Sequence, residues 1–356
     1  MNTKLSTNPE KTVSPEALAR LRQPFYIGTN KLRQVKLDSR VMLAPMAGVT
    51  DVVFRSLVRQ WAPQSLICTE MISSNGLVYS KRWDVQILDK QATDSPIAYQ
   101  LAAHRVEVLV EAAENIIKLK NPETIDLNMG CPVKKITGNF EGCSLMKNPD
   151  LAHTLISTLV KAVDRPVTVK FRLGWDHSSI NFKAFGQMCE DAGASMVTLH
   201  ARTRSDGYKP GCKWEAFGEL KQAVNIPVIA NGDINTLEDA LTVMDTYRVD
   251  GVMIGRGALG QPWVIGHIDQ AIRTGALPTP LTLEERLEVA YEHAKRLATY
   301  KSEPVGVREM RRHLTDYVNG FHGASRFRSQ LTAVNTLEDI RLIIDEILEA
   351  QMAIAV

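Results

Sequence analysis

A train of eight short β-rich segments constrains this chain most, at 41–45, 65–71, 96–101, 124–129, 166–173, 195–201, 226–230 and 250–255. Stretches of helical periodicity separate them, as at 105–119 and 151–163. Strands alternating with helices over about 215 residues predict an α/β fold, a (β/α)8 TIM barrel, which typically takes about 250 residues. No GxGxxG follows the first strand, which weakens an open doubly wound sheet.

The strands alternate in a chemically informative way. Thr168, Lys170 and Arg172 share one face of 166–173, while Val167, Val169, Phe171 and Leu173 share the other. Asp126 and Asn128 likewise oppose Ile125 and Leu127, and Thr198 and His200 oppose Val197 and Leu199. A parallel barrel has no solvated strand face, so the polar faces point inward and the apolar faces meet the helices. Charges inside a barrel are costly unless they serve a ligand or one another.

Residues 23–275 are read as the barrel, with a hairpin over 25–37, turning at 28–30, closing its floor. Residues 1–22 are read as a flexible N-terminal extension. A linker with Pro278 and Pro280 follows the barrel, and 283–356 carry only helical periodicity, at 283–300, 305–319, 324–333 and 336–352. The spacing of Thr282 and Glu285 predicts a capping box at the start of this all-α domain.

Composition adds the broad class. Hydrophobic residues make up 44% and charged residues 23%, which excludes a largely disordered chain. No apolar run approaches the roughly 18 residues that span a bilayer, and the polar N-terminus lacks a signal-peptide core. Five cysteines, at 68, 131, 143, 189 and 212, show no CxxC spacing. A zinc site or disulfide framework is therefore not expected, and a reducing cytoplasm is.

Function in such barrels sits at the C-terminal strand ends. Those ends read Pro45, Met46, Ala47 and Gly48; Glu70; Gln100; Asn128 before Gly130, Cys131 and Pro132; Lys170 and Arg172; His200 and Arg202; Asn231, Gly232 and Asp233; Gly255 and Arg256. The last two are glycine-containing turns of the kind that bind phosphate after strands seven and eight, where Arg256 adds a charge-assisted contact. Beside inward Lys170, Gln100 and His200, they suit a phosphorylated, planar, electron-rich cofactor such as FMN. Lys170 suits the N1/O2 edge of the reduced ring, Gln100 the pyrimidine edge, and Met46 either the ring or plain barrel filling. Cys131 lies in a turn dictated by Gly130 and Pro132, as a nucleophile or a general acid. Cys143, twelve residues on, is a competitor in a less constrained loop.

The runs LAPMAGVTD (43–51), TEM (69–71), DLNMGCPVKKITG (126–138), VKFRLGW (169–175), LHARTR (199–204), PVIANGDI (227–234) and MIGRGALGQPW (253–263) together resemble the tRNA-dihydrouridine synthases, most of all their bacterial B-type branch. The resemblance covers about residues 25–350. It implies FMN held by Pro45, Met46, Ala47, Gln100, Lys170, His200, Asn231, Gly232, Asp233, Gly255 and Arg256. It implies that Cys131 is the proton donor and that Asn128 and Arg172 contact the target uracil. It further implies reduction by NADPH, with hydride passing from flavin N5 to C6 of a D-loop uridine while the cysteine protonates C5. The base must be extruded from its stack to reach the flavin. Cys143 stands where the family usually has a small residue, which puts a second thiol near the catalytic loop.

Charge bears on the RNA. Net charge is only +2, yet residues 295–328 hold eight Lys/Arg against Glu303, Glu309 and Asp316. Residues 1–40 likewise hold eight against three. Arg308, Arg311 and Arg312, with His313, Tyr317 and Phe321 nearby, form the expected tRNA-gripping side of the helical domain, recognising phosphates and shape. The partners expected are thus tRNA and NADPH, with no membrane, no metal and no protein partner, for a monomer. Two competing readings are a small-molecule FMN pyrimidine oxidoreductase resembling dihydroorotate dehydrogenase and a non-catalytic tRNA-binding module. The basic helical domain disfavours the first, and the inward polar set with Cys131 disfavours the second.

Overall fold

A computed structural model describes residues 13–28, 34–80 and 85–355. Among the described residues are ten strands: β1 (Phe25–Ile27), β2 (Val35–Leu37), β3 (Val41–Leu43), β4 (Ile67–Ser73), β5 (Ile97–Ala102), β6 (Thr124–Met129), β7 (Val167–Arg172), β8 (Met196–His200), β9 (Val228–Asn231) and β10 (Gly251–Ile254). Strands β3 to β10 close into a parallel barrel in sequence order, with β10 returning to pair with β3. The expected (β/α)8 fold is therefore present.

Two cores follow from the strand alternation. Outward residues such as Ile125, Leu127, Val167, Val169 and Phe171 are buried against the surrounding helices. Inside, the floor is apolar: Met42, Cys68, Ala98, Met196, Ile229 and Met253 pack with Phe25, Ile27 and Leu37 of the β1–β2 hairpin. The hairpin thus plugs the N-terminal end, while its expected turn at 28–30 extends outside the described residues beyond Gly28. Above the floor the lining turns polar, with register pairing Gln100 to Asp126, Asp126 to Thr168, Asn128 to Lys170 and His200 to Asn231.

The N-terminal extension differs from expectation. Residues 1–12 lie outside the described residues, but Pro15–Arg22 is a helix capped by Ser14 and buried through Ala17, Leu18 and Leu21. Arg20 fastens it to the carbonyls of Met244 (2.8 Å) and Val249 (3.1 Å), and Arg40 reaches the carbonyls of Leu21, Arg20 and Gln23. Long-range contacts therefore order a segment whose own sequence is too short to be stable as an isolated helix.

The third core belongs to the C-terminal helices Leu283–Lys301, Glu303–Tyr317, Ala324–Leu331 and Leu337–Ala355. Leu287, Leu297, Met310, Leu314, Phe327, Ile340 and Ile347 fill it together with Val52, Val53 and Trp263 of the barrel's helical layer. Thr282 and Glu285 form the expected reciprocal cap. Docking is close: at Gly260 (φ +67°) an added Cβ would lie 2.1 Å from the Asp316 carbonyl oxygen. Lys301, held by Glu309 at 2.6 Å, also reaches Asp51 of the barrel at 4.0 Å. The bundle thereby sits beside the C-terminal mouth of the barrel.

Candidate active site

A cavity of about 480 Å³ opens at that mouth. It gathers Pro45, Met46, Ala47, Gln100, Asn128, Cys131, Lys170, Arg172, His200, Asn231, Gly232, Asp233, Gly255 and Arg256, the whole barrel set expected from the sequence for cofactor, substrate and proton donor.

One wall is built by β5, β6 and β7. Asn128 accepts the backbone N–H of Cys131 at 2.8 Å and of Gly130 at 3.2 Å, which folds the NMGCP turn back over the strand end. Its Nδ2 donates to Gln100 Oε1 (2.7 Å), and Gln100 Nε2 donates to Asp126 Oδ2 (2.7 Å). Cys131 is half-buried, and burial raises its thiol above the ordinary cysteine value. At neutral pH it therefore keeps its proton, the state a proton donor requires.

Cys143 does not share the cavity lining. Its N–H bonds the Cys131 carbonyl (3.1 Å), but its buried thiol faces Met146 Sδ (3.9 Å) and the Gly174 carbonyl (3.8 Å). Burial pushes that thiol up to about 12. The loop it occupies is a buried 3-10 turn rather than an open segment, because Gly142 packs directly on Cys131.

The lining carried from β7 on to the ends of β8, β9 and β10 is cationic. Lys170 Nζ donates to Asn231 Oδ1 at 2.8 Å, and Asn231 Nδ2 is fixed by the Met253 carbonyl. Burial, and then the nearby Arg172, push Lys170 down to about 8. His200 is held neutral by burial and by the surrounding Lys170, Arg172, Arg202 and Arg256. Its Nε2 lies 3.2 Å from Arg202 Nη1. Asp233 bridges Arg202 (2.5 Å) and Arg256 (3.1 Å), so one carboxylate holds two of the lining guanidiniums. At Gly232 (φ +122°) an added Cβ would lie 2.4 Å from Cys212 Sγ and 3.0 Å from His200 Cδ2, so only glycine fits at this lining position.

Arg172 ties the walls together, donating to the carbonyls of Gly130 (2.8 Å), Thr203 (2.9 Å) and Gly207 (2.9 Å). Its guanidinium lies 5.4 Å from the ring of Tyr208, which also borders the cavity. Arg202, expected at the end of β8 but given no role, also lines the cavity, Glu70 of the expected strand ends does not, and Tyr208 is a lining residue the sequence did not single out. Arg202 carries a sequence signal as the residue two beyond His200; Tyr208 lies in a long loop where periodicity says nothing.

The helical domain meets the expectation only in part. Of its described residues, Arg312 alone lines the cavity, beside Gly48. Arg308 is exposed one turn away, outside the lining. Arg311 is committed to the fold, bonding the Val334 carbonyl and Asn335 Oδ1, each at 2.8 Å. His313 and Tyr317 do not join a basic face either: both are buried, near His293 and, for His313, Phe54. Helical spacing turns position 312 outward and positions 313 and 317 into the core.

Comparison with known proteins decides the family. The dihydrouridine synthase model matches residues 42–353, nearly the whole barrel and bundle. The chain belongs to the dihydrouridine synthase family. It is 41% identical over 324 residues to a probable tRNA-dihydrouridine synthase 1 of Synechocystis sp., covering 91% of this chain and 89% of that protein. Identity is 38% over 322 residues to a probable tRNA-dihydrouridine synthase of Rickettsia bellii, covering 90% and 97%. It is 37% over 303 residues to tRNA-dihydrouridine synthase B of Pseudomonas aeruginosa, covering 85% and 90%. Among solved structures, histamine dehydrogenase from Rhizobium sp. 4-9 superposes with a TM-score of 0.55 at 13% identity, over 78% of this chain and 51% of that one. A 6-hydroxypseudooxynicotine amine oxidase from Pseudomonas geniculata N1 gives 0.53 at 12%, over 73% and 50%. This family member thus spans about half of those longer chains, and at such identity the likeness concerns the barrel fold alone. No helix among the described residues is long and apolar enough to cross a membrane.

Proposed function

We propose that this family member reduces the C5=C6 bond of uridines in the tRNA D-loop, using FMN as cofactor and NADPH as reductant. The observation that carries the reading is the meeting, in one cavity, of a protonated Cys131, a half-buried Lys170 and the helical domain's Arg312.

The residues fit the cofactor. The cavity volume lies within the roughly 300–1,000 Å³ usual for ligand sites. Gly232 lines the cavity with backbone, packed too tightly on Cys212 and His200 to carry a side chain, and Arg256 stands beside it for a phosphate. Lys170 supplies the positive charge that an electron-rich ring edge calls for, and Gln100 keeps an N–H and a lone pair beyond its two bonds. When bound, FMN supplies the two-electron carrier between NADPH and C6 of the uracil.

The chain's own residues do the rest. Cys131 holds the proton destined for C5, and the Asn128 hydrogen bond fixes the turn that carries it. Arg172 braces this turn against the β8 loop from within the cavity lining. Arg312 and exposed Arg308 grip phosphate on the helical side, which favours an RNA substrate over a free pyrimidine. A base must leave its stack to enter so recessed a cavity.

The test is spectroscopic. Flavin-loaded protein should bleach with NADPH under nitrogen and regain its colour on addition of tRNA lacking dihydrouridine. Protein that takes up no FMN, or that is reoxidised by free uridine as fast as by tRNA, would overturn the reading.

A further inference from the structure

We propose that Asp126 is a positioning residue: its carboxylate sets the direction of a side-chain hydrogen-bond relay that begins beneath the cavity and ends on the backbone N–H of Cys131. The inference rests on the function proposed above for Gln100, Asn128 and Cys131 and adds what orients them.

Asp126 is 3% exposed and has no opening to the cavity of its own. An ionised carboxylate only accepts. It accepts from Thr168 Oγ1 at 2.5 Å and from Gln100 Nε2 at 2.7 Å. With Nε2 so engaged, Gln100 must turn Oε1 toward Asn128, whose Nδ2 donates to it at 2.7 Å. With Nδ2 engaged in turn, Asn128 presents Oδ1 to the N–H groups of Cys131 and Gly130. Each amide has nearly the same shape after a flip, so shape cannot choose between the two directions. An acceptor-only group at one end can. A carboxylate at this depth is costly compared with an apolar side chain, and direction is what it contributes. Burial pushes Asp126 up to about 6, which leaves it ionised at neutral pH.

Two variants test this. Asp126→Asn keeps the size but offers an N–H where only acceptance was possible. The double variant Asp126→Asn, Gln100→Glu moves the carboxylate one step along the relay, where it again accepts from Asn128 Nδ2. The readout that needs no flavin is the rate at which iodoacetamide alkylates Cys131 in the apoprotein, followed by peptide mass spectrometry. Asp126→Asn should raise it about fivefold, the equivalent of the roughly 1 kcal/mol of one hydrogen bond. The double variant should return it to the wild-type rate. In the holoenzyme, Asp126→Asn should lower kcat for dihydrouridine formation at unchanged KM for tRNA. Wild-type alkylation in the single variant would overturn the proposal. So would a double variant no closer to wild type than the single one, the result a merely structural carboxylate would give. Should the single variant not fold, the double variant decides alone: folded with wild-type alkylation supports the relay, unfolded refutes it. Should wild-type protein form no dihydrouridine, the function proposed above fails while alkylation still judges the relay.

Discussion

Lys170 and Asn231, from strands two apart in the barrel, meet at 2.8 Å in the cavity lining, and this bond places the ammonium of the one lysine in that lining. The lysine is pushed down to about 8, so its charge is present below that pH and lost above it. FMN affinity of the apoprotein should therefore fall as pH rises through about 8, by up to about tenfold per pH unit where the charged form is required. Fluorescence titration of FMN across that range checks this. Lys170→Met should bind weakly at every pH, and a wild-type-like slope in that variant would contradict the assignment.

Cys131→Ala should keep FMN and NADPH oxidation while dihydrouridine formation falls by roughly 10²–10⁴-fold, the usual worth of a positioned general acid. Cys143→Ser should leave product formation close to wild type, because that thiol faces Met146 and the Gly174 carbonyl rather than the cavity. Product analysis of both variants assigns the proton to one thiol.

The three arginines of the third-from-last helix should separate. Arg308→Ala and Arg312→Ala should each weaken tRNA binding and reduce the slope of log affinity against log salt by roughly 0.7–0.9 for each phosphate no longer neutralised. Arg311→Ala should leave that slope unchanged and cost about 1 kcal/mol of stability by removing the bonds to Val334 and Asn335. Binding at several salt concentrations, beside thermal melts, distinguishes the two outcomes.

Gly232→Ala places a Cβ 2.4 Å from Cys212 Sγ at a φ of +122°, with strain of about 1–3 kcal/mol. It should lower the melting temperature of the apoprotein and weaken FMN binding together. A Cys212→Ala background should relieve the clash but not the backbone strain, restoring part of the stability.

How much of this is legible in the sequence depends on the range of the forces. The barrel is legible because each strand writes its own alternation: Ile125 and Leu127 outward, Asp126 and Asn128 inward. Thr282 and Glu285 announce the helical domain because a capping box is local. The helix Pro15–Arg22 is not announced, since what fixes it is Arg20 reaching carbonyls more than two hundred residues away. Arg311 and Arg312 are adjacent and chemically alike, and only the connection at Val334 and Asn335, folded back onto their helix, makes one structural and leaves the other at the cavity. Tyr208 depends on where a loop folds over Arg172, which no periodicity records.

The most direct measurement incubates the purified, FMN-loaded protein with NADPH and tRNA prepared without modifications, then maps the nucleosides by mass spectrometry. A D-loop uridine should gain the mass of two hydrogen atoms, dependent on both NADPH and Cys131. A tRNA unchanged in mass, while the protein oxidises NADPH and reduces a free pyrimidine instead, would contradict it.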